Sequence, residues 1–131
     1  MQRGIMGWEM HITRAEHVWD GESHPIFPEE WIQHVNNDSE LSFDPKNGQY
    51  HVLWRGNEIN WLDWDTGNIS TTSPGQELYC KMLDIAAALN AKVLDDDGRV
   101  YLLPDDLFNP SWAKKEVPLS FLQKIITYFR K

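Results

Sequence analysis

Residues 57–67, with the sequence NEINWLDWDTG, decide the fold because they join a long apolar strand pattern to a turn signal. Side chains alternate between two faces along a β-strand, so Ile59 and Trp61 share one face while Leu62 and Trp64 share the other. Trp61 continues the apolar face that Ile59 begins, whereas Trp64 stands among acidic side chains close to the turn. We therefore expect Trp61 to lie in the core and Trp64 to be at least partly accessible.

Further strands are predicted where apolar and polar residues alternate between turn residues. These stretches are GWEMHIT (7–13), QYHVLWRG (49–56) and TGNISTTS (66–73), with ELSF (40–43) as a brief additional strand and AKVLDDDGRVYLL (91–103) as a hairpin that turns at Asp97 and Gly98. Tight turns between strands favour antiparallel neighbours.

Three helices are predicted from apolar residues at helical spacing. The first spans about residues 28–36 and begins at Pro28, a position where helices tolerate proline. The second follows Ser73, Pro74 and Gln76, whose spacing matches a capping box. The third ends the chain and carries an apolar stripe of Leu119, Leu122, Ile126 and Phe129.

A chain of 131 residues fits one domain, which we expect to span residues 1–131. The expected fold class is α+β, a mostly antiparallel sheet of about five strands with helices packed mainly on one face. A more open mixed sheet is the alternative. No long apolar run or apolar leader indicates a membrane span or signal peptide, so a cytoplasmic location is expected.

The charge of the chain is acidic and uneven. Its net formal charge is −8, and five of the 12 basic residues lie in the last 18 positions, which leaves −12 on residues 1–113. Such a surface repels nucleic acid and anionic lipid and attracts cationic proteins. An acidic surface also confers solubility, and charge alone does not separate the two explanations.

No catalytic, cofactor or metal site is predicted from the motifs. The acidic run before Gly98 does not fit the spacing of a calcium loop, the chain has no HExxH, and its one cysteine, Cys80, excludes thiolate metal sites. His11 and His51 would meet only if their strands are neighbours, and they could then form a zinc or catalytic pair.

Exposed aromatic and acidic residues are the candidates for partner binding, because tryptophan is enriched at binding hot spots and carboxylates suit a basic partner. Trp19 and Trp64, like Trp112, fall outside the periodic core patterns. We expect the acidic clusters to lie at hairpin tips along one rim of the sheet. The predicted binding residues are Trp19, Asp63, Trp64, Asp65, Asp95, Asp96, Asp97, Asp105 and Asp106.

Two segments resemble a group of small bacterial proteins from polymorphic toxin loci, including contact-dependent growth inhibition loci. They are MGWEMHITRAEHVW (6–19) and the block from INWLDWDTGNISTTSP to KMLDIAAALNAKVLDDDGRVY (59–101). The resemblance implies an immunity protein, a small acidic protein that neutralises a cognate toxin domain. Residues from Leu102 onward lie outside it.

The expected function is therefore that of an immunity protein, not an enzyme, that acts as a monomer on a basic, nuclease-like toxin without binding nucleic acid or membrane. One alternative is a small hydrolase or nuclease that uses His11, His51 and nearby carboxylates. Another is a scaffold or regulatory subunit without a toxin partner.

Overall fold

Alternation of apolar and polar residues produces a seven-stranded sheet in the computed structural model, which describes residues 8–108. Two α-helices accompany it in this part of the chain. The helices are α1 (Pro28–Asn36) and α2 (Gln76–Ala88), and the strands are β1 (Glu9–Thr13), β2 (Leu41–Phe43), β3 (His51–Trp54), β4 (Asn57–Asp65), β5 (Asn68–Thr72), β6 (Lys92–Asp95) and β7 (Val100–Tyr101).

The sheet has the strand order β2-β3-β4-β5-β1-β6-β7, and every neighbouring pair is antiparallel. Tight turns connect β3, β4 and β5, whereas β1 is inserted between β5 and β6. The predicted α+β class is confirmed. The sheet has more strands than the expected five or so because two short strands, β2 and β7, occupy its edges.

Both helices pack on the same face of the sheet, where their apolar sides join one core with the strands. From α1 the core takes Trp31 and Val35, and from α2 it takes Tyr79, Met82 and Ile85. The strand residues of this core are Met10, Ile12, Leu41, Val52, Trp54, Leu62, Ile69, Val93 and Tyr101.

Strand β4 presents the opposite face to the core from the one that the sequence predicts. Leu62 is fully buried and Trp64 packs against the core, whereas Ile59 is 80% exposed. Trp61 is half-buried on the other face and stacks on His51, with ring centroids 5.5 Å apart. The expectation for Trp61 was wrong because both faces of β4 are apolar; the partial accessibility of Trp64 is confirmed.

Helix α2 begins later than the capping pattern predicts. Gly75 is its N-cap residue, and Ser73 has a positive φ of 43°. The hydroxyl of Ser73 instead accepts a hydrogen bond from the backbone N–H of Trp8 at 3.1 Å. Ser73 therefore ties the end of β5 to the start of β1 rather than capping the helix.

Two sequence predictions, the terminal helix and Trp112, lie outside the described residues. Between residues 8 and 108, neither helix combines the length and apolar character needed to cross a membrane.

Candidate protein-binding surface

Trp19 is the most exposed tryptophan side chain described, with 78% of its surface accessible. It lies in a short 3-10 turn, Val18–Asp20, between β1 and α1. One face of its indole stacks on the ring of His17, with centroids 4.5 Å apart and planes within 3° of parallel. The high exposure means that the other face is open to solvent.

The segment that carries Trp19 is hydrogen-bonded to the turn between β4 and β5. The side-chain amide of Asn68 donates to the carbonyl of Val18 at 2.7 Å, and the N–H of Ile26 donates to the carbonyl of Gly67 at 2.9 Å. The indole N–H of Trp64 adds a bond to the carbonyl of Ile26 at 2.7 Å. Trp19 is therefore held before any partner binds, which lowers the entropic cost of association.

Two glycines permit this attachment. A Cβ atom on Gly21 would lie 2.7 Å from both the side-chain oxygen of Asn68 and the carbonyl oxygen of Thr66. Gly67, with a φ of +92°, faces the carbonyl of Gly21 from the turn. The two backbones approach so closely that a side chain at either position would push them apart.

Acidic residues flank Trp19 in the sequence, and another lies at the turn that its segment contacts. Residues 15–45 contain eight Asp or Glu and no Lys or Arg. Glu16 and Glu22 are exposed and Asp20 is half-exposed, while Asp65 is exposed at the turn that the segment contacts. We call this set, with Trp19 itself, the Trp19 surface: Glu16, Trp19, Asp20, Glu22 and Asp65.

Other carboxylates of the same stretch are engaged inside the protein. Arg14 binds Glu30 through two hydrogen bonds of 2.8 and 2.6 Å and also donates to the carbonyls of Pro25 and Leu89. The hydrogen bond from Arg14 lowers the pKa of Glu30 to about 2. This cluster joins the end of β1 to both helices and is structural.

Lys81 of α2 holds a second acidic pair. Its ammonium group lies 2.7 Å from Asp38 and 2.9 Å from Glu40, and Glu40 also accepts from the indole of Trp54. Hydrogen bonds from Lys81, Trp54 and Arg55 lower the pKa of Glu40 to about 2. The carboxylates of the Trp19 surface have no such basic partner among residues 8–108.

Two of the predicted binding residues are buried and have structural roles instead. Asp95 is 2% exposed; its carboxylate accepts from the N–H groups of Asp97 and Arg99 and from the Tyr101 hydroxyl. Asp106 is 6% exposed and accepts from two backbone N–H groups. A partner cannot reach either carboxylate without disrupting the turn that it holds.

The remaining acidic candidates do not share one rim. Asp65 pairs with Asn68 at the end of the sheet where β1 reaches Thr13, while Asp95 pairs with Met10 near the start of β1. Exposed Asp96 and Asp97 therefore lie at the opposite end of the strands from Asp65. Asp105 is also exposed, in the 3-10 turn Pro104–Leu107 that contacts α2.

Trp64 and Asp63 are less suited to binding than the sequence suggests. Trp64 is half-buried, uses its indole N–H internally and packs edge-on against Tyr50, with ring centroids 5.0 Å apart. Asp63 is half-buried on the face of the sheet opposite the two helices, where burial raises its pKa and the neighbouring His51 opposes that shift. Of the two predicted tryptophan anchors, Trp19 is the more exposed.

The histidine pair does not form. His51, Asp63, Ser70 and His11 lie in one row across β3, β4, β5 and β1. Two strands separate the histidines, so they are roughly 14 Å apart at the usual strand spacing. His11 instead binds Asp96 at 2.9 Å. Residues 8–108 contain no group of three or more His, Cys, Asp or Glu side chains placed to hold a metal ion.

The sequence prediction missed Glu16, Asp20 and Glu22 as members of this surface. The signal that identifies them is the absence of Lys and Arg from residues 15–45, which is visible only when charge is counted locally. The contact between Gly21 and Gly67 has no sequence signal beyond two glycine-containing turns.

Comparison of the chain with family models, curated proteins and solved structures finds no match. The resemblance to immunity proteins stays a prediction.

Proposed function

We propose that the protein is an immunity protein that neutralises a cognate bacterial toxin domain by binding it through the Trp19 surface. The toxin is basic and nuclease-like. The observation that carries the proposal is Trp19 itself, which is 78% exposed on a segment fixed to the sheet. The carboxylates that flank it have no basic partner within residues 8–108.

Exposed aromatic area surrounded by acidic groups supports a protein partner. A tryptophan left in water is costly unless it is covered in a complex, and tryptophans at interface centres carry a large share of binding energy. The carboxylates attract a cationic partner and accelerate its encounter. Nuclease toxins are basic because their substrate is polyanionic, so an acidic inhibitor can use the charge that catalysis requires.

The proposal includes a non-catalytic role, a monomeric state and a cytoplasmic location. The same acidic surface disfavours nucleic acid and anionic membranes as partners, because both repel carboxylates.

A direct test uses the C-terminal domain of a large protein encoded next to this chain. Bacteria that express this domain should stop growing, and co-expression of the immunity protein should restore growth. The purified pair should form a complex whose association rate falls as ionic strength rises. Growth arrest without rescue, or failure of the two purified proteins to associate, would refute the proposal.

Variants then locate the surface. Trp19→Ala should speed dissociation and cost on the order of 2 kcal/mol or more of binding free energy. Ile59→Ala is the matched control, since Ile59 is 80% exposed in β4 and lies outside the Trp19 surface. An equal effect of both substitutions would show that Trp19 is not the anchor.

Charge reversal provides a second, independent location test. Asp20→Lys with Glu22→Lys should slow association and flatten its salt dependence. The control is Glu77→Lys with Asp84→Lys, which changes net charge by the same amount at exposed positions of α2. If the two double variants slow association equally, only net charge matters and the Trp19 surface is not the contact site.

A further inference from the structure

We propose that the open face of Trp19 receives an arginine side chain of the partner, which pairs at the same time with the carboxylate of Asp20. That the partner is a toxin rests on the proposed function. The arginine preference rests on the geometry of the surface and can be tested without a toxin.

The indole is presented as a flat platform. His17 covers one face at a centroid distance of 4.5 Å, with the rings within 3° of parallel, and Trp19 remains 78% exposed. A cation placed over the face of a tryptophan is attracted by the ring quadrupole. A guanidinium group has the further advantage that it is planar and stacks on an aromatic ring, which an ammonium group cannot do.

Asp20, the next residue in the same 3-10 turn, supplies the negative charge. One of its carboxylate oxygens accepts a hydrogen bond from the hydroxyl of Ser23 at 3.0 Å, which orients the carboxylate. Its second oxygen has no hydrogen-bond partner among the described residues. A carboxylate beside an aromatic face suits an arginine, whose N–H groups bind carboxylates while its plane stacks on the ring.

The basic residues nearest to Trp19 in the sequence have partners of their own. The closest basic residue before Trp19 in sequence is Arg14, which is bound to Glu30 and two carbonyls, and the next after it is Lys46. Lys46 lies 3.4 Å from Glu58. Both of these side chains are engaged elsewhere, so the proposed arginine is one that a partner supplies.

The test compares a hexa-arginine peptide with a hexa-lysine peptide of equal charge, added to the full-length protein. Binding is measured by isothermal titration calorimetry for every variant, and the NMR signal of the Trp19 indole N–H, assigned with Trp19→Leu, locates the contact in the unmodified protein. We expect the arginine peptide to bind about three- to fivefold more tightly, the size of an exposed cation–π contribution. Trp19→Leu should abolish this preference and leave residual, salt-sensitive binding of both peptides.

Asp20→Asn tests the second contact. This substitution should weaken binding of the arginine peptide more than binding of the lysine peptide. Asp84→Asn on α2 should weaken binding of both peptides equally. Equal affinity of the two peptides for the unmodified protein would overturn the inference, as would an arginine preference that survives in Trp19→Leu.

The outcomes separate this inference from the proposed function. Arginine preference without neutralisation of any co-encoded toxin would refute the function and retain the site. Neutralisation by a protein that binds both peptides equally would retain the function and refute the arginine contact.

Discussion

The carbonyl oxygen of Gly21 lies so close to Gly67 that a Cβ atom on Gly67 would be 2.4 Å from it. This contact joins the segment that carries Trp19 to the turn between β4 and β5. Because both residues lack a side chain, the carbonyl of Gly67 can also accept the N–H of Ile26. The position of the Trp19 surface therefore depends on glycine at both positions, because a methyl group at either one would push the two backbones apart.

Gly67→Ala should destabilise the protein by about 2–4 kcal/mol, because it adds a backbone clash to an unfavourable positive φ. Gly98→Ala is the matched control, since Gly98 has a φ of +81° and open space around its Cα. The control should cost only about 1 kcal/mol. Urea unfolding of both variants measures the difference, and equal losses would contradict the close contact.

The two faces of β4 should respond differently to truncation. Leu62→Ala should cost about 2–5 kcal/mol, because it opens a cavity in the core. Ile59→Ala should change stability by no more than about 0.5 kcal/mol, because Ile59 is 80% exposed. Denaturant melts of both variants test the register of the strand; a larger loss for Ile59→Ala would restore the face assignment made from the sequence.

Substitution of Asp95 should destabilise the protein more than substitution of Asp97, although both residues belong to one acidic run. Asp95→Ala removes the acceptor for two N–H groups and the Tyr101 hydroxyl, so it should cost about 2–3 kcal/mol. Asp97→Ala removes an exposed carboxylate 3.3 Å from Arg99 and should cost less than about 1 kcal/mol. Thermal melts decide this, and similar losses would mean that the Asp95 hydrogen bonds contribute little.

The Arg14–Glu30 pair should make the fold sensitive to acid. Arg14 lowers the folded-state pKa of Glu30 from 4.5 to about 2, so the contribution of the pair is present above pH 4.5 and is lost as the pH falls toward 2. Melting temperatures measured between about pH 5 and about pH 2.5 should fall more steeply for the unmodified protein than for Glu30→Gln. Parallel curves would show that Glu30 has no shifted pKa.

Local patterns predicted much of the fold. The bounds of α1, the meander from β3 to β5 and the hairpin after α2 follow from periodicity and turn residues, because these signals act over a few neighbouring positions. The face of β4 could not be predicted, since Trp61 and Trp64 are equally apolar. Its orientation depends on the register with Val52, which is a tertiary contact.

The residues of the candidate surface were predicted only in part. Trp19 and Asp65 were identified because exposed aromatic and acidic residues are visible in sequence. The separation of Asp65 from Asp97 was not predicted, because it depends on the position of β1 between β5 and β6. Asp95 was predicted to be exposed like its acidic neighbours. Its burial depends on the folded hairpin, which brings two N–H groups and the Tyr101 hydroxyl to one carboxylate.

The central place of β1 also has a consequence for how the chain reaches its native state. Strands β2 to β5 pair with their neighbours in sequence, so short loops suffice to bring them together. Strand β1 pairs with β5 and β6, which lie much later in the chain. Closing such long loops is entropically costly and slows folding. During synthesis on a ribosome, β1 would leave the exit tunnel before the other described strands. Its pairing would be complete only after β6 had emerged.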